Sequence, residues 1–592
     1  MKRLPALLVS LYLLAAFMPV PYQSLRAGND PSWDWAVNVL AGKQGGWGGN
    51  RLYSYGPLGY LLYPFELGNN LPEAVAFQAA AHALLCLLVF LLLRDRPPWA
   101  SLLSGLGLVA ASTVWGMEQE LWLLSGLLCH FALRRGALAP LAGASALLLF
   151  VKFGAGVAAL GACGLLFLLL VKRGARWAAL ALAASVVASV GLGGALLLKS
   201  AAELPGWVRG SLELGSGYGS AMSQGGPAAH VVLALCILGV LALALPRVAP
   251  VLLPLALLAF KHGFTRQDAH EAHFFGLALA VAAVAVMAEP RRWPALLAVA
   301  GLAGAALHDA EWYDAQGALR RAAGFEAAWR IPALARLAEE RKRLADTAGF
   351  APDLLPPRWR ALIGDATVDV QPSELAMVPA NQLHWQPSPT LQFFGAYTPW
   401  LDGLQAAHFG GPNAPQFLIW IEHHYDARNL FWETPRTALV LLSAYEVVAR
   451  EEKMLLLRRR AQPAPLLRER ALYTARAATS TEVEVPAQGL VLVRIRLAST
   501  AGSALASIFY RILSIFLRVR YEDGSEGLQR LLPPLAGEGA LLSPLPRDAS
   551  ELEALWAGKP LPHVKAFHLS GAGLARYGPQ LEAEFSELIP VR

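Results

Sequence analysis

Charge is what this sequence has least of. Only 16% of its 592 residues are Asp, Glu, Lys or Arg, against 55% apolar, where a soluble chain carries about a quarter charged residues. The shortage is uneven. Long apolar runs fill Met1 to about His308, and the composition from about Asp309 to Arg592 is that of an ordinary soluble protein. A single water-soluble globule is therefore excluded. Cysteine is also scarce: Cys86, Cys129, Cys163 and Cys236 all lie in the apolar runs. The second half cannot rely on disulfides and needs a conventional core, which its length allows. No small-x-small cleavage site follows the first apolar run, since the stretch from Met18 to Tyr22 is a poor one. That run reads as an uncleaved helix rather than a signal peptide.

What is present is a series of about eleven apolar stretches, near 4–22, 73–93, 100–116, 121–133, 137–151, 154–171, 176–199, 227–246, 249–261, 272–288 and 292–308. About 20 such residues span a bilayer, and shorter ones serve inside bundles. Lys2 and Arg3, Arg94 and Arg96, Arg134 and Arg135, Lys172, Arg173 and Arg176, Arg247, and Arg291 with Arg292 then all fall on one side. The positive-inside rule makes that side cytoplasmic. The amino terminus is expected in the cytoplasm, and everything after 308 outside. The net charge of +7 is absorbed by this orienting role, so no nucleic-acid partner is expected. The expected organisation is a polytopic helical membrane bundle (1–308), an extracytoplasmic α/β module (309–465) and an extracytoplasmic β-sandwich-like module (466–592).

The loops on the outer side hold the ionisable residues. Such groups at a membrane edge point to function unless hydrated or paired. Asp30 and Asp34 are four apart and share a helix face if 28–35 is helical; the plainer reading makes Asp30 a cap ahead of Pro31. Tyr55 sits in a Tyr/Gly/Pro segment, 53–64, that either lines a substrate or anchors at the interface. Glu118 and Glu120 lie in a short turn, where they bind a metal, orient a nucleophile or are simply solvated. Lys152 interrupts an apolar run and either faces a ligand or snorkels. The 261–273 loop carries His262, Arg266, Asp268, His270 and His273; Arg suits phosphate oxygens, and the histidine spacing matches no strong zinc pattern. Carboxylates and cations on one membrane face suit lipid-phosphate sugar transfer. Cations stabilise the leaving phosphate, and a carboxylate deprotonates the acceptor.

On these residues the chain resembles the polytopic GT-C glycosyltransferases, in particular the bacterial relatives of the protein mannosyltransferase and aminoarabinose transferase type. The resemblance rests on the acidic first loop, the Tyr-Gly-Pro-Leu run at Tyr55–Leu58, the Glu118/Glu120 loop and the soluble carboxyl-terminal half, and covers roughly 1–308. It implies transfer of a sugar from a polyprenyl-phosphate donor to a glycan, lipid or protein acceptor outside a bacterial inner membrane. It implies Asp30 or Asp34 as base, Glu118 and Glu120 positioning acceptor or a divalent metal, and Lys152 and Arg266 facing the lipid phosphate. His262 and Tyr55 join the expected substrate-binding set. Asp30 is followed by Pro rather than a second acid, a departure that leaves the choice of base open. No cofactor is certain from the sequence, and a divalent metal is left open.

In the soluble half, 313–346 has an amphipathic helical pattern including Leu319, Phe325, Trp329 and Leu344. Runs at 366–370, 417–421 and 438–442 read as strands of a small α/β module. Strand-like alternation at 481–485, 490–497, 515–521 and 564–569 points to an antiparallel sandwich. Trp385, Tyr397 and the segment Glu422–Asp426 are polar-aromatic clusters suited to loop packing or to stacking on sugars. The alternative to an enzyme is a membrane-anchored envelope protein whose outer modules bind polysaccharide or protein partners. A transporter fits less well, because the apolar runs are mostly unbroken.

Overall fold

A computed structural model describes residues 3–19, 26–41, 47–48, 51–136, 138–198, 200–244, 249–324, 332, 335–337, 339, 353–422, 425–462, 467–500, 510–511 and 513–590. The apolar runs are helices: α1 (Leu4–Ala16), α3 (Asn70–Leu93), α4 (Pro98–Ser112), α5 (Met117–Arg135), α6 (Leu138–Val151), α7 (Phe153–Lys172), α8 (Arg176–Leu197), α10 (Ala228–Ala244), α11 (Ala249–Thr265), α12 (His270–Ala288) and α13 (Trp293–His308). Among the described residues α3, α7, α8 and α12 are long and apolar enough to cross a membrane, and several shorter apolar helices accompany them. Helix α12 is apolar all round and almost wholly buried at the bundle centre, as an internal helix must be. Helix α8 is its opposite, with Trp177, Val187 and Leu196 at least 72% exposed. An apolar surface of this kind belongs against lipid rather than water.

Two helices lie between the apolar runs, the first over the stretch read as a helix or its cap at 28–35 and the second where a loop was expected. Helix α2 (Asn29–Ala41) carries the first aspartates. Helix α9 (Leu204–Ala221) buries Trp207, Gly210, Ser211, Leu214, Gly217 and Ala221, a spacing of three and four that marks one helix face. The expected 261–273 loop is also shorter. Helix α11 runs to Thr265 and α12 begins at His270, leaving four residues between them.

The carboxyl-terminal half contains three sheets. Strands β1 (Thr367–Gln371), β2 (His384–Trp385), β3 (Phe417–Ile421), β4 (Tyr445–Glu451) and β5 (Met454–Arg459) form a mixed sheet of order β2-β1-β3-β5-β4, with β1 parallel to β2 and β3. The expected strand at 438–442 is instead part of a helix, Pro435–Ala444. Its first turn is held by buried Asp402, which accepts from the Arg436 N–H at 2.9 Å, the Thr437 N–H at 3.0 Å and the Thr437 hydroxyl at 2.7 Å. A carboxylate at a helix start satisfies N–H groups that have no partner within the helix, and here it overrides the local apolar run.

Beyond β5, β6 (Leu467–Ala478), β7 (Val483–Glu484), β8 (Leu490–Ser499), β9 (Ile515–Tyr521), β10 (Glu526–Leu531), β11 (Ala540–Ser543), β12 (Val564–Ser570) and β13 (Tyr577–Pro590) make two antiparallel sheets, β10-β9-β12-β7 and β11-β8-β13-β6. Inward residues of both, including Leu517, Val519, Phe567, Val493, Ile495 and Phe585, share one core, as in a sandwich. Of the expected 313–346 helix, Ala315–Ala322 is present and Leu319 is 71% exposed. Phe325, Trp329, Leu334 and Leu344 lie outside the described residues, as do Lys2, Arg247, His423 and His424.

The halves are continuous at 308. One hydrophobic cluster runs from Ala6 in α1 through α12 to Val370, Ile419 and Leu456 of the mixed sheet. Helix α2 joins the two: Ser32 Oγ accepts from the Ala376 N–H at 3.0 Å, Asn29 Oδ1 accepts from Gln392 Nε2 at 2.9 Å, and Trp35 packs on Trp385 with ring centroids 5.0 Å apart. Replacing Asp402 by alanine leaves the first N–H groups of Pro435–Ala444 buried without acceptors, a cost of about 1–3 kcal/mol for each such group. Asp402→Ala is expected to lower the thermal unfolding midpoint of the full-length protein and to hasten proteolysis within 399–444. An unchanged midpoint would rule out this anchoring role.

Candidate functional site

The site is built on a break between two apolar helices. Helix α6 ends at Val151 and α7 begins at Phe153, with Lys152 between them in extended conformation at φ −145°, ψ 118°. The break is held from outside the helices. The Gly56 N–H donates to the Val151 carbonyl at 3.1 Å, the Leu58 N–H to the Phe150 carbonyl at 3.0 Å, and the Phe153 N–H to the Ser54 carbonyl at 3.2 Å. Gly56 is required for this approach, because a Cβ there would meet the Phe150 carbonyl oxygen at 2.3 Å. The 53–58 segment is therefore an ordered strap across the α6–α7 junction.

Lys152 does not snorkel to solvent. Its Nζ donates to Glu118 Oε2 at 2.7 Å and to the Tyr55 hydroxyl at 3.3 Å, and lies 4.7 Å from the Tyr55 ring centroid. Both ion-pair side chains are largely buried, at 16% and 8% exposure. Removing one member of such a pair strands the other charge, at about 3–5 kcal/mol. Glu118 Oε1 is buried and has no partner, so the carboxylate keeps an accepting position open. Tyr55 stacks on Trp33 (4.9 Å, 7°), and Tyr63 meets both rings edge-on.

The first-loop aspartates divide. Asp30 is exposed and accepts from the Trp33 indole at 3.2 Å. Asp34 is 4% exposed, and its Oδ1 is buried without a partner. Burial first, and then the neighbouring Asp30, push Asp34 up from 3.8 to about 8, against a smaller opposing effect of Arg26. The Asp34 charge acts on both Tyr53 and Tyr55, so Asp34 shares the electrostatic neighbourhood of the Lys152–Glu118 pair.

Buried Tyr218 of α9 feels the charges of Lys152, Arg266, Asp268 and Glu118 and packs edge-on against Tyr397. Arg266 is paired to Asp268 at 2.8 Å and to Asp426 of the carboxyl-terminal half at 3.3 Å. Burial disfavours the Asp268 carboxylate, but His270 and Arg266 overcome this and hold it down at about 2. His262, His270 and His273 form a triangle with centroids 5.2–5.8 Å apart, and His262 Nε2 lies 3.4 Å from His273 Nδ1. Among the described residues no group of three or more His, Cys, Asp or Glu is arranged to hold a metal.

Glu120 is not brought to the site. Its Oε2 is bound to buried His82 Nδ1 at 2.9 Å, and His82 Nε2 lies 3.1 Å from the Leu13 carbonyl oxygen. The expected 117–120 loop is the first turn of α5, and residues two apart on a helix point to different faces. Trp385 is committed to packing, its indole donating to buried Asp369 at 3.0 Å. Tyr63, His82, Tyr218 and Asp426 were not legible as partners, because each is met only through long-range packing.

Beside the ionic site an apolar groove of about 210 Å³ opens between α3, α5 and α6, lined by Phe77, Leu84, Leu121, Leu124, Leu147 and Leu148. Leu121 is three residues past Glu118 and Leu148 four before Lys152, so the groove begins about one turn from the ion pair. Leu84 and Leu147 are each 38% exposed, so it is open along the side of the bundle.

No protein-family model matches this chain, and neither a curated protein nor a solved structure is similar to it. The site must be interpreted from its own chemistry.

A raised Asp34 has a defined pH signature. The folded state keeps a proton that the unfolded state releases above about 3.8, so Asp34 lowers stability progressively as pH rises from about 4 to about 8, and no further above that. The Asp34→Asn protein carries no such loss. Its unfolding midpoint relative to wild type is expected to rise between pH 5 and pH 8 and then level off. A difference independent of pH would show that Asp34 is not held protonated.

Proposed function

We propose that this protein is a GT-C-like membrane glycosyltransferase. It has about eleven membrane-crossing helices and works on the extracytoplasmic face of a bacterial inner membrane, moving a sugar from a polyprenyl-phosphate donor to an envelope acceptor. The observation that carries the reading is the junction of two unlike surfaces. The buried Lys152–Glu118 pair, with Tyr55 and Asp34 in electrostatic reach, lies about one helical turn from an apolar groove open along the bundle. A donor with a charged head and a hydrocarbon tail needs that pairing of surfaces.

In this reading the tail lies in the α3–α5–α6 groove and the phosphate meets Lys152, with Arg266 as the second cation whose charge reaches Tyr218. Lys152 stabilises the charge that grows on the phosphate as the glycosidic C–O bond breaks. Asp34 takes the proton from the acceptor hydroxyl or amine as the new bond forms. With Asp34 titrating at about 8, its ionised form is the base, so transfer is expected to rise as pH increases toward 8. Glu118 fixes Lys152, and its free Oε1 is placed to orient the acceptor. Asp30 is exposed and steers Trp33, so we assign the base role to Asp34. The His262–His270–His273 triangle lines the far side without a step of its own.

The test uses purified protein in vesicles with a polyprenyl-phosphate sugar. Asp34→Asn and Lys152→Met are each expected to reduce transfer per folded protein by roughly 10²–10⁴-fold, the folded amount being measured for each because Lys152→Met also strands Glu118, and Asp30→Asn to have a small effect. Undiminished transfer by the Asp34→Asn, Lys152→Met double variant would refute the mechanism. Glycan binding by the wild type with no transfer under any donor would favour the envelope-binding alternative.

A further inference from the structure

A second polar cavity, of about 320 Å³, shares no lining residue with the ionic site. It lies where the strand-like segment before Tyr53 meets the mixed-sheet module, fixed there by the Leu52 N–H donating to the Pro389 carbonyl at 2.7 Å. Its polar lining includes Arg51, Gln386, His408 and Asn413, and Leu404 and Pro412 supply apolar surface.

Three features of this cavity call for a ligand. First, Arg51 is partly buried, and among the described residues its guanidinium has neither a hydrogen bond nor an ion pair. Burial disfavours its charge, and no carboxylate among the described residues acts against that. Arg266, also desolvated, is by contrast matched by Asp268 and Asp426. Second, His408 Nε2 is buried with no partner. Burial first, and then the charges of Arg51 and Arg459, hold His408 down at about 4, so it presents a neutral ring. Third, the wall is braced independently of any ligand. Arg459 donates to the Gly411 carbonyl at 2.7 Å and Gln386 Nε2 to the Asn413 carbonyl at 3.2 Å.

A planar guanidinium with no acid beside it among the described residues matches a carboxylate or phosphate ester. A neutral imidazole nitrogen and two carboxamides match hydroxyls, and a Leu/Pro patch matches the C–H face of a pyranose. The volume is at the small end of the range of about 300–1,000 Å³ for ligand pockets, which limits the occupant to a unit of about sugar size. We propose that the Arg51–His408 cavity is a binding site for an anionic sugar unit, a carboxylate or phosphate ester carried on a pyranose-sized body. The site stands on its own residues and does not depend on the transfer reaction proposed above.

The experiment is ligand-observed NMR on the full-length protein in lipid nanodiscs, with glucuronate, glucose 6-phosphate, glucose and inorganic phosphate as separate probes. At least one of the two anionic sugars is expected to bind roughly ten- to a hundredfold tighter than glucose, the worth of a charge-assisted hydrogen bond, and tighter than inorganic phosphate. Arg51→Gln should remove that advantage, Arg51→Lys should keep part of it, and His408→Phe should weaken sugar binding more than phosphate binding. The proposal is overturned if glucose binds as well as both anionic sugars, if phosphate alone binds as tightly as they do, if none binds, or if Arg51→Gln changes nothing in a protein of wild-type unfolding midpoint. Should Arg51→Gln fold poorly, Arg51→Lys and His408→Phe decide on the same criteria. Because the readout is binding, loss of transfer in Asp34 or Lys152 variants leaves it unmoved, and its failure leaves the transfer mechanism standing.

Discussion

The Lys152–Glu118 ion pair is the constraint from which the rest of the site follows. A lysine at the seam of two apolar helices is stable only with a partner, and Glu118, in the first turn of α5, is that partner at 2.7 Å. Bringing Lys152 to it requires α6 and α7 to part, and parting them leaves the Phe150 and Val151 carbonyls to be satisfied. The 53–58 strap satisfies them, and in doing so lays Tyr55 beside the ammonium. Tyr55 carries Trp33 on its face, and Trp33 belongs to the helix that buries Asp34. Each step is a consequence of satisfying the charge or backbone group left by the one before.

The same economy governs how the halves meet. The 220–224 turn after α9 receives arginines from three separate parts of the carboxyl-terminal half. Arg530 donates to the Ser220 and Ser223 carbonyls at 2.9 Å, Arg511 to the Gln224 carbonyl at 2.6 Å, and Arg428 contacts Met222 Sδ at 3.4 Å. Asp426, in left-handed conformation at φ 52°, lies between Arg266 and Arg530. Away from the seam, buried acids of the bundle are matched by histidines, Glu120 by His82 and Glu271 by His230 at 2.7 Å. Asp34 Oδ1 and Glu118 Oε1 do not follow this pattern, since each is buried without a partner.

Local pattern made most of the bundle readable. Apolar runs bounded by Lys and Arg correspond to helices because helix interiors in this half admit little else, and alternation exposed the sandwich strands β8, β9 and β12. The sequence misled where a long-range contact decides a short element. The 438–442 run is helical because Asp402, more than thirty residues away, caps it. Glu118 and Glu120 looked equivalent in a loop, but α5 begins at Met117 and turns them apart. The meeting of Lys152 with Glu118 was expected only as convergence on one face, since no spacing encodes a pairing across 34 residues. Arg51 and His408 gave no sequence signal, because a missing partner is visible only once neighbours are in place.

The transferase reading requires a lipid phosphate held at the Lys152–Glu118 pair with its tail in the α3–α5–α6 groove. A structure of the full-length protein determined with a polyprenyl phosphate tests this most directly. The phosphate is expected within hydrogen-bond reach of Lys152 Nζ and the first isoprene units against Leu121 and Leu148. A phosphate bound elsewhere, with the Lys152–Glu118 pair untouched and the groove filled by ordinary lipid, would contradict it.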